Sequence, residues 1–506
     1  MRALWTSEEI AAATGGTATA AFDVDAVSFD SREVIGGELF VALTGEAADG
    51  HAFVDMAMKR GARGCLVSRA VDAPHVLVPD TMAGLEALGA AARARTDACV
   101  IGVTGSVGKT GVKEALRRAL DRFAPGQVHA SVKSYNNHTG VPLSLARMPA
   151  DSRFGVFEMG MNHAGELTAL TAQVRPHIAI VTWVASAHAA YFADEVAIAD
   201  AKGEIFLGLT AFPSRHPGAG RDPSSTDVSA MRSASEPLSS SPDARPVMGP
   251  GLRRDDESND GASSKGGIAI IPHDNPHRDR LIAHARPHAA RIVTFGLDPA
   301  ADVHPLDYAL LPDCTTCTAQ IHDERLIFKI GMAGKHWLSN ALAVLAGVHA
   351  AGGDLALAGL ALAELTELPG RGARFRTAGQ AIVIDESYNA NPASMAAALG
   401  VLGEVPGRRV ALLGEMRELG SRSEAFHAAL APLVTAAGVT RAILVGKAMA
   451  PLADALKRQI SVRHVDTADE AAQALDLATG DVLLVKGSNG VGLGAIVAQL
   501  REEARR

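Results

Sequence analysis

Residues 99–123 place a glycine-rich turn, a lysine and a threonine at the start of a helix (CVIGVTGSVGKTGVKEALRRALDRF). An apolar run from Cys99 predicts a strand before the turn, and apolar residues at helical spacing after Lys109 predict the helix. Glycines let several backbone N–H groups converge on one anion, and a helix N-terminus adds positive potential. The Lys109 ammonium supplies a point charge, and the Thr110 hydroxyl is suited to hold Mg²⁺. The stretch therefore predicts a nucleoside-triphosphate site with a cradle made of Gly105, Ser106, Val107, Gly108, Lys109 and Thr110.

The spacing of the glycines differs from the usual phosphate-loop pattern, because five residues rather than four separate Gly102 from Gly108. The alternative interpretation is an ordinary turn between a strand and a helix. Gly-Lys-Thr at a helix start, with a strand before it, favours phosphate binding over that alternative. The stretch indicates a nucleotide, and the reaction has to be inferred from other residues.

The composition limits the class of protein. The chain has 506 residues, enough for about three domains of ordinary size. Apolar residues make up 47% and charged residues 21%, which allows a substantial core. The net charge of −8 argues against nucleic-acid binding and leaves phosphate binding to local sites. The sequence has no signal-peptide pattern and no apolar run of about 20 residues, so we expect a cytoplasmic protein that does not insert into membranes.

The apolar pattern along the chain predicts an α/β fold with three domains. Residues 1–82 mix short strand-like runs with one helical pattern and predict a small mixed α/β domain. Residues 83–368 alternate apolar strands with helices, as in a parallel sheet covered by helices, and contain the phosphate loop. Residues 369–506 repeat an α/β pattern of the Rossmann-like type. Two α/β domains that face one another form a natural cleft for an enzyme with several substrates.

One segment, residues 208–266, interrupts this order. It is rich in Ser, Pro, Gly, Arg and Asp and almost lacks aromatic residues. Such a composition cannot bury enough apolar area to offset the entropy of ordering, so we predict a disordered surface insertion in the central domain. A regulatory or partner-binding segment is the alternative, but charges of both signs are interspersed in it.

Cysteine spacing gives one weak signal. Of Cys65, Cys99, Cys314 and Cys317, only the last two lie close together, and no second pair or histidine follows at zinc-ligand spacing. A reduced, structural pair is therefore favoured over a metal or redox site.

Three further side chains have both a chemical and a plainer interpretation. Glu158 ends a predicted strand, where it is either a hard oxygen ligand for Mg²⁺ or a solvated surface charge. His188 follows the strand predicted at 178–182, at the sheet edge where ligands collect, although single histidines are usually structural. Lys202 follows a predicted helix, and its residue type alone indicates a solvent-facing position.

Five motifs together resemble the Mur ligases over essentially the whole chain except the insertion. They are the phosphate loop, NNHTG at 136–140, EMGMNH at 158–163, AKGE at 201–204 and DESYNANP at 385–392. The resemblance implies an ATP-dependent, ADP-forming ligase of cytoplasmic peptidoglycan precursor synthesis. In the implied reaction, ATP phosphorylates the carboxylate of a UDP-N-acetylmuramoyl tripeptide, and the amine of D-Ala-D-Ala attacks the acyl phosphate.

The resemblance also implies roles for residues around the phosphates. Lys109 and Thr110 take the β- and γ-phosphates and one Mg²⁺, and Glu158 matches a metal carboxylate. His188 matches a metal-associated histidine. Lys202 matches a lysine that is carbamylated by CO₂ and so becomes a ligand of a second Mg²⁺. The implied catalytic residues are Lys109, Lys202, His188 and Arg371.

The same resemblance implies binding residues in all three domains. Those of the nucleotide site are His336, Asn340, Arg371 and Asp385. Those of the uridine-diphosphate pocket, in the domain predicted at 1–82, are Ser31, Arg32, Phe40, Asp49 and His51. Asn137 and Thr139 match the loop that holds the muramoyl peptide. Asn389, Asn391 and Ser488 lie where the domain predicted at 369–506 would bind the incoming dipeptide.

Two alternative functions remain open. One is a related phosphate-loop ligase of the folylpolyglutamate type, which would not need the uridine-like domain or the SYNANP run. The other is an inactive nucleotide-binding protein. A monomer is the expected state, with small-molecule substrates as the only expected partners.

Overall fold

The structure is a computed structural model that describes residues 3–45, 48–186, 191–212, 266–366 and 370–505. Its strands form sheets of five, nine and six strands and a two-stranded ribbon. This arrangement confirms the three-domain α/β fold predicted from the sequence. The boundaries predicted at residues 82/83 and 368/369 stay predictions. Among the described helices, none has the length and apolar character needed to cross a membrane.

The N-terminal part is built on the five-stranded sheet, in the order β2-β7-β6-β5-β4. Strands β4, β5, β6 and β7 are parallel to one another, and β2 pairs with β7 in the antiparallel direction. The strands are β1 (Trp5–Thr6), β2 (Thr17–Ala18), β3 (Asp23–Val24), β4 (Ala26–Ser28), β5 (Glu38–Val41), β6 (Gly64–Val67) and β7 (His75–Leu77). The α-helices are α1 (Ser7–Thr14), α2 (Val54–Lys59) and α3 (Thr81–Ala94).

The central part is built on the nine-stranded sheet, in the order β16-β15-β14-β13-β12-β11-β8-β10-β9. Its strands are β8 (Cys99–Thr104), β9 (Val128–Ala130), β10 (Phe154–Glu158), β11 (Ile178–Val181), β12 (Ile268–Pro272), β13 (Arg291–Phe295), β14 (Val303–Leu310), β15 (Thr315–Ile321) and β16 (Glu324–Ile330). Its helices are α4 (Lys109–Phe123), α5 (Gly140–Ala146), α6 (Glu166–Val174), α7 (Glu195–Gly203), α8 (Arg278–Ala285), α9 (Lys335–Ala350) and α10 (Leu355–Ala363).

Helices cover both faces of the central sheet. Alternate strand residues such as Ile101 and Val103 pack in one apolar cluster with α4 and α9, and Val100 and Val181 pack in another with α5 to α8. The phosphate-loop strand β8 lies in the middle of the sheet, between β10 and β11. Because these strands are parallel, their carboxyl ends meet at one edge, which is where the polar motifs of the sequence lie.

One part of the central sheet differs from the prediction of a parallel sheet. Strands β14, β15 and β16 form an antiparallel ribbon that extends the parallel strands at one edge. The strands of this ribbon alternate apolar and polar residues and leave one side exposed, whereas the parallel strands are continuous apolar runs. Cys314 lies just before β15 and Cys317 lies within it, and both are free thiols.

The C-terminal part is built on the six-stranded sheet, in the order β17-β18-β22-β19-β20-β21, in which only β17 is antiparallel. Its strands are β17 (Ala373–Arg376), β18 (Ile382–Glu386), β19 (Arg408–Gly414), β20 (Val439–Val445), β21 (Ser461–Val465) and β22 (Asp481–Lys486). Its helices are α11 (Pro392–Glu404), α12 (Ser423–Ala428), α13 (Ala431–Ala436), α14 (Ala450–Leu456), α15 (Ala468–Ala474) and α16 (Leu493–Glu503).

The predicted insertion falls almost wholly on residues outside the described ranges, so its predicted disorder stays a prediction. The chain before it ends in a bond from Thr210 N to the Pro176 carbonyl, and the chain after it begins with a bond from Gly266 N to the His288 carbonyl. The two ends lie together, because a Cβ on Gly266 would come within 2.4 Å of the Ala211 nitrogen.

Candidate active site

The phosphate loop joins β8 to α4 and needs glycine at two positions. Gly105 has a φ of +150° and Gly108 a φ of +86°, both in the region that L-residues rarely adopt. A Cβ on Gly105 would lie 2.0 Å from Oγ1 of Thr182, and one on Gly108 would lie 2.7 Å from Oδ1 of Asn340. The loop therefore packs against both the end of β11 and helix α9. Glycine is required here by conformation and by close approach.

Ser106 fastens the loop to the chain that follows β11. Its backbone N–H donates to the Trp183 carbonyl (2.7 Å), and its hydroxyl donates to the Ala185 carbonyl (2.8 Å). The Ala185 N–H donates to the same hydroxyl (3.0 Å). The loop residues Val107, Gly108 and Lys109 line the cavity described below.

Lys109 lies at the first position of α4 with its ammonium turned back onto the loop. Its Nζ donates to the Gly105 carbonyl at 2.6 Å. Burial lowers the pKa of Lys109, although the nearby Glu158 carboxylate acts in the opposite direction. A desolvated cation held by a single carbonyl is well placed to exchange that carbonyl for a phosphate oxygen.

Thr110 and Glu158 form a pair of oxygen ligands beside the loop. The Thr110 hydroxyl donates to Oε2 of Glu158 at 2.7 Å, and the amide of Asn136 donates to Oε1 at 2.7 Å. The Glu158 side chain is fully buried at the end of β10, so it is not the solvated charge of the plainer interpretation. The described part of the chain has no group of three or more His, Cys, Asp and Glu side chains that could hold a metal. The donor set is instead a hydroxyl and a carboxylate next to a phosphate cradle, which suits Mg²⁺ because this ion keeps several waters and binds substrate phosphates.

Lys202 is buried, not solvent-facing. It lies near the end of α7 with 1% of its surface exposed. Burial and, to a lesser extent, the positive charge of Lys109 hold the pKa of Lys202 well below its ordinary value. His188, predicted to lie in the same site, is outside the described residues.

A cavity of about 610 Å³ opens between the central and C-terminal sheets and collects many of the predicted residues. From the central part it is lined by Ser106, Val107, Gly108, Lys109, Thr110, Glu158, His336 and Asn340. From the C-terminal part it is lined by Arg371, Asn389, Asn391 and Ser488. Some of the residues predicted for the nucleotide, for the metal and for the dipeptide therefore meet in one cleft. Predicted residues that do not line it are Ser31, Arg32, Phe40, Asp49, His51, Gly105, Asn137, Thr139, Lys202 and Asp385.

Arg371 reaches across the cleft to the central part. Its Nη2 donates to the Ser134 hydroxyl at 3.0 Å, and that hydroxyl lies 3.4 Å from Oγ1 of Thr110. The guanidinium also lies over the ring of Tyr388, 4.1 Å from its centroid. Arg371 thus brings a fixed positive charge to the Thr110–Glu158 pair from the opposite domain.

His336 and Asn340 lie one turn apart on α9. Asn340 lies against Gly108 of the phosphate loop, since a Cβ on Gly108 would come within 2.7 Å of Oδ1 of Asn340. His336 is exposed at the cleft. An imidazole ring and an amide are suited to hydrogen-bond an uncharged part of a nucleotide.

Asp385 forms hydrogen bonds at the start of the C-terminal part, beside the cleft. The buried carboxylate accepts bonds from Gly370 N at 2.8 Å and from the Ser387 hydroxyl at 2.6 Å. Gly370 precedes Arg371, so Asp385 fixes the turn from which that arginine projects. The ribose role implied for Asp385 stays a prediction.

Residues predicted for the uridine-diphosphate pocket occupy varied places in the N-terminal part. Ser31 and Arg32 lie on a 3₁₀ helix, Ser31–Glu33, whereas Phe40 lies in β5 and is buried in the core. Asp49 accepts bonds from Arg69 and from both the backbone and the ring of His51, and the backbone bond in particular lowers its pKa. Their substrate contacts stay predictions.

The N-terminal part meets the cleft through one loop. Glu33, next to Arg32, forms an ion pair with Lys133 and accepts a bond from the Tyr135 hydroxyl at 3.2 Å. Ser134, between these two partners, is the acceptor of Arg371. Residues 131–137 therefore contact the N-terminal and C-terminal parts as well as the central part to which they belong. In this loop Asn137 Oδ1 accepts the Gly140 N–H at 2.9 Å, and Thr139 precedes α5.

Residues of the SYNANP run have structural tasks as well as cavity positions. Asn391 caps α11, since its Oδ1 accepts the Ser394 N–H at 2.8 Å. Oδ1 of Asn389 accepts a hydrogen bond from the N–H of the next residue, Ala390. The Ser488 hydroxyl accepts the Arg417 N–H at 2.9 Å. Dipeptide binding by the three predicted residues stays a prediction.

Several cavity residues were missed by sequence reasoning. Lys486 is fully buried, donates to Glu386 at 3.3 Å and to the Asn389 carbonyl at 2.9 Å, and has its pKa lowered by burial. The available signal was a charged residue at the end of an otherwise apolar strand. Other cavity residues to which the sequence analysis assigned no role include Ser134, Asn136, Tyr388, Glu386 and Arg417.

Three protein-family profiles match the chain. "Mur ligase family, catalytic domain" matches residues 23–122, "Mur ligase middle domain" matches 103–212 and 261–348, and "Mur ligase, glutamate ligase domain" matches 370–489. The middle-domain match leaves out residues 213–260, within the predicted insertion.

Curated proteins and solved structures give the same family. The chain is 32% identical to the UDP-N-acetylmuramoyl-tripeptide--D-alanyl-D-alanine ligase of Escherichia coli, over 95% of this chain and 94% of that protein. It is 29% identical to the ligase of that name from Rickettsia prowazekii, over 98% and 99% of the two chains. A crystal structure of MurF from Acinetobacter baumannii is similar with a TM-score of 0.76 at 26% identity, covering 98% of this chain and 99% of that one.

Proposed function

This chain belongs to the Mur ligase family, and we propose that it is the ATP-dependent ligase that adds D-alanyl-D-alanine to UDP-N-acetylmuramoyl tripeptide. The proposal places the reaction in cytoplasmic peptidoglycan precursor synthesis. The observation that carries it is the cleft in which the Thr110–Glu158 pair and the phosphate loop face Arg371 and the SYNANP run.

The proposed reaction has two steps. A carboxylate oxygen of the tripeptide attacks the γ-phosphorus of ATP, so that ADP leaves and an acyl phosphate forms. The amine of D-Ala-D-Ala then attacks the acyl carbon, inorganic phosphate leaves, and one proton is released. Both groups that meet in the first step are anionic, so their approach needs fixed positive charge. Lys109 supplies it from the central part and Arg371 from the C-terminal part.

Mg²⁺ fits the oxygen pair of Thr110 and Glu158. When bound, the ion supplies positive charge next to the phosphate oxygens. Asn136 holds the free carboxylate oxygen of Glu158, and this bond fixes the orientation of the carboxylate. Thr110 and Glu158 both offer oxygen atoms, which is the type of ligand that Mg²⁺ prefers.

Lys202 fits the role of a carbamylated ligand for a second Mg²⁺. A buried amine next to another cation is disfavoured in its charged form, and the neutral amine is the form that reacts with CO₂. Addition of CO₂ to the neutral amine forms an N–C bond and releases one proton, so that the amine becomes an anionic carbamate. That change also removes the repulsion between Lys202 and Lys109.

The three-domain contacts of residues 131–137 support the rest of the substrate assignment. We assign the uridine-diphosphate part of the muramoyl tripeptide to the N-terminal part, near Ser31 and Arg32. The adjoining loop leads from there to Ser134 and the phosphate loop. Ordering of this loop by the muramoyl substrate would exclude water from the acyl phosphate.

Phosphate release in the presence of ATP and Mg²⁺ tests the proposal. We expect release only when UDP-N-acetylmuramoyl tripeptide and D-Ala-D-Ala are both present, with one product peptide per phosphate. Equal release with glutamate and a folate would contradict it. Binding of ATP without release under any of these conditions would indicate an inactive nucleotide-binding protein.

A further inference from the structure

Among the described residues, four lysine and arginine side chains line the cleft, and Arg417 differs from the other three. Lys109 is held by the Gly105 carbonyl, Arg371 by Ser134, and Lys486 by Glu386 and a carbonyl. The Arg417 side chain is 53% exposed, and its ion pair with Glu415 is long, at 3.6 Å. Its guanidinium therefore has donors left over for a ligand in the cleft.

The chain holds Arg417 in a particular direction. The residue lies just after β19, and its backbone N–H donates to Ser488, which follows β22. The next residue, Glu418, has a φ of +63°, a left-handed conformation that costs energy for a residue other than glycine.

Gly490 supplies the room for the guanidinium. A Cβ at this position would lie 2.1 Å from Nη1 of Arg417 and 2.8 Å from Cζ. The clash would be with the far end of a flexible side chain, so an alanine here would displace Arg417 without disturbing the backbone. The loop at 488–490 and the turn at Glu418 together form the surface on which the Arg417 side chain lies.

We propose that Arg417 binds the carboxylate of the incoming D-alanyl-D-alanine and so selects an amine substrate with a free C-terminus. The inference rests on the proposed function. The dipeptide has one amine that must stay free to attack and one carboxylate that takes no part in the reaction. A planar guanidinium with two parallel N–H donors matches that carboxylate and leaves the amine untouched.

The position of Arg417 favours the dipeptide over ATP as its ligand. The phosphate loop belongs to the central part, where Lys109 and the Mg²⁺ ligands already face the phosphates. Arg417 lies in the loop after β19, where its N–H donates to Ser488, and it lines the cleft from the C-terminal part, as Asn389 does. A carboxylate bound there would direct the other end of the dipeptide toward the opposite wall.

The test compares Arg417→Ala and Arg417→Lys with the unmodified enzyme, using D-Ala-D-Ala and its C-terminal amide as acceptors. We expect Arg417→Ala to raise the KM for D-Ala-D-Ala by roughly 10- to 100-fold, the loss for one charge-assisted hydrogen-bonded contact. The KM for ATP should stay within about twofold, and lysine should restore part of the loss. The unmodified enzyme should prefer the free acid over the amide, and Arg417→Ala should lose that preference.

Two further variants complete the experiment. Gly490→Ala should raise the KM for D-Ala-D-Ala in the same direction, because it displaces the guanidinium. Arg422→Ala removes an arginine that packs on Phe426 outside the cleft, and it should leave both KM values unchanged. An unchanged KM and an unchanged acid preference in folded Arg417 variants would overturn the inference alone. Failure of the unmodified enzyme to use D-Ala-D-Ala would overturn the proposed function and the inference with it.

Discussion

The Thr110 hydroxyl donates to Oε2 of Glu158 across 2.7 Å, which joins the first turn of α4 to the end of the neighbouring strand β10. The two oxygens belong to residues 48 positions apart in sequence. They adjoin because β8 and β10 are paired in parallel and end at the same edge. This edge is therefore where metal-dependent chemistry is expected.

Substitution of Glu158 by glutamine tests that role. The amide keeps an oxygen that accepts from Thr110 but has no negative charge for Mg²⁺. We expect a loss of kcat/KM on the order of 100-fold, partly restored by higher Mg²⁺ concentration. The measurement is phosphate release titrated with Mg²⁺. Glu114→Gln, on the same helix as Thr110 but paired with Lys113 and Arg117, is the control and should be unaffected. Full activity of Glu158→Gln at low Mg²⁺ would rule out the metal role.

Arg371 and Ser134 connect the two walls of the cleft. Replacing Arg371 by lysine removes the planar group that lies on Tyr388 and donates to Ser134, so we expect kcat to fall by about 100-fold. Ser134→Ala keeps the arginine but removes its anchor, and a smaller fall of about tenfold is expected. Arg374→Lys is the matched control, because Arg374 instead donates to the Pro312 carbonyl. Equal kcat values for Arg371→Lys and Arg374→Lys would show that Arg371 has no special part in the reaction.

Much of the fold could be read from the sequence, because parallel strands are continuous apolar runs. The apolar runs at 154–158, 268–272, 291–295 and 481–486 are strands over their whole length in the structure. The antiparallel ribbon β14–β16 was not predicted, since its alternating, half-exposed residues such as Ile327 give a weaker signal. Local apolar pattern therefore indicates the buried core better than the edge of a sheet.

The site could be predicted only where a motif stands at the end of a strand. The phosphate loop and Glu158 have this signature, but Lys202 does not. Its burial depends on the packing of α7 against the central sheet, a tertiary property that the residue type contradicts. Likewise nothing local indicates that Ser134 accepts a bond from Arg371, since the two residues are 237 positions apart. Contacts between domains require the assembled fold.

Lys202→Ala tests the proposed carbamate. The variant lacks the amine that takes up CO₂, so we expect it to be inactive in phosphate release. Short carboxylic acids such as formate and acetate should restore part of the activity, because they place an anion in the space of the missing side chain. Bicarbonate should restore neither Lys202→Ala nor Lys202→Arg. Activity of the alanine variant without added acid would exclude the carbamate.

His129 predicts a stability change between pH 7 and pH 5. Burial beside Phe157 lowers the pKa of this histidine from 6.5 to about 4, and its ring N–H donates to the Ser144 carbonyl at 2.7 Å. The folded state keeps the ring neutral while the unfolded chain takes up a proton below pH 6.5. Stability is therefore full above that pH and falls by about 2 kcal/mol on going from pH 7 to pH 5.

His129→Gln keeps a donor for Ser144 but does not titrate. The urea midpoint of the variant should fall less between pH 7 and pH 5 than that of the unmodified protein. His322, whose pKa burial also lowers to about 4, stays in both proteins, so part of the pH dependence remains. An identical pH dependence in the two proteins would show that His129 titrates normally when folded.

Removal of residues 213–265 tests whether the predicted insertion takes part in the reaction. Its described neighbours are already in place, because Thr210 and Gly266 each bond backbone outside the segment and Ala211 lies against Gly266. A linker of two or three glycines would close the gap between Phe212 and Gly266, and shortening a long loop costs little free energy. Since each described residue that lines the cleft is held by parts of the chain outside this segment, we expect kcat and the three KM values to stay within about twofold. The measurement is phosphate release by the deletion variant, with thermal unfolding as the check that it folds. A large loss of turnover in a variant that unfolds at the same temperature would assign the segment a part in catalysis.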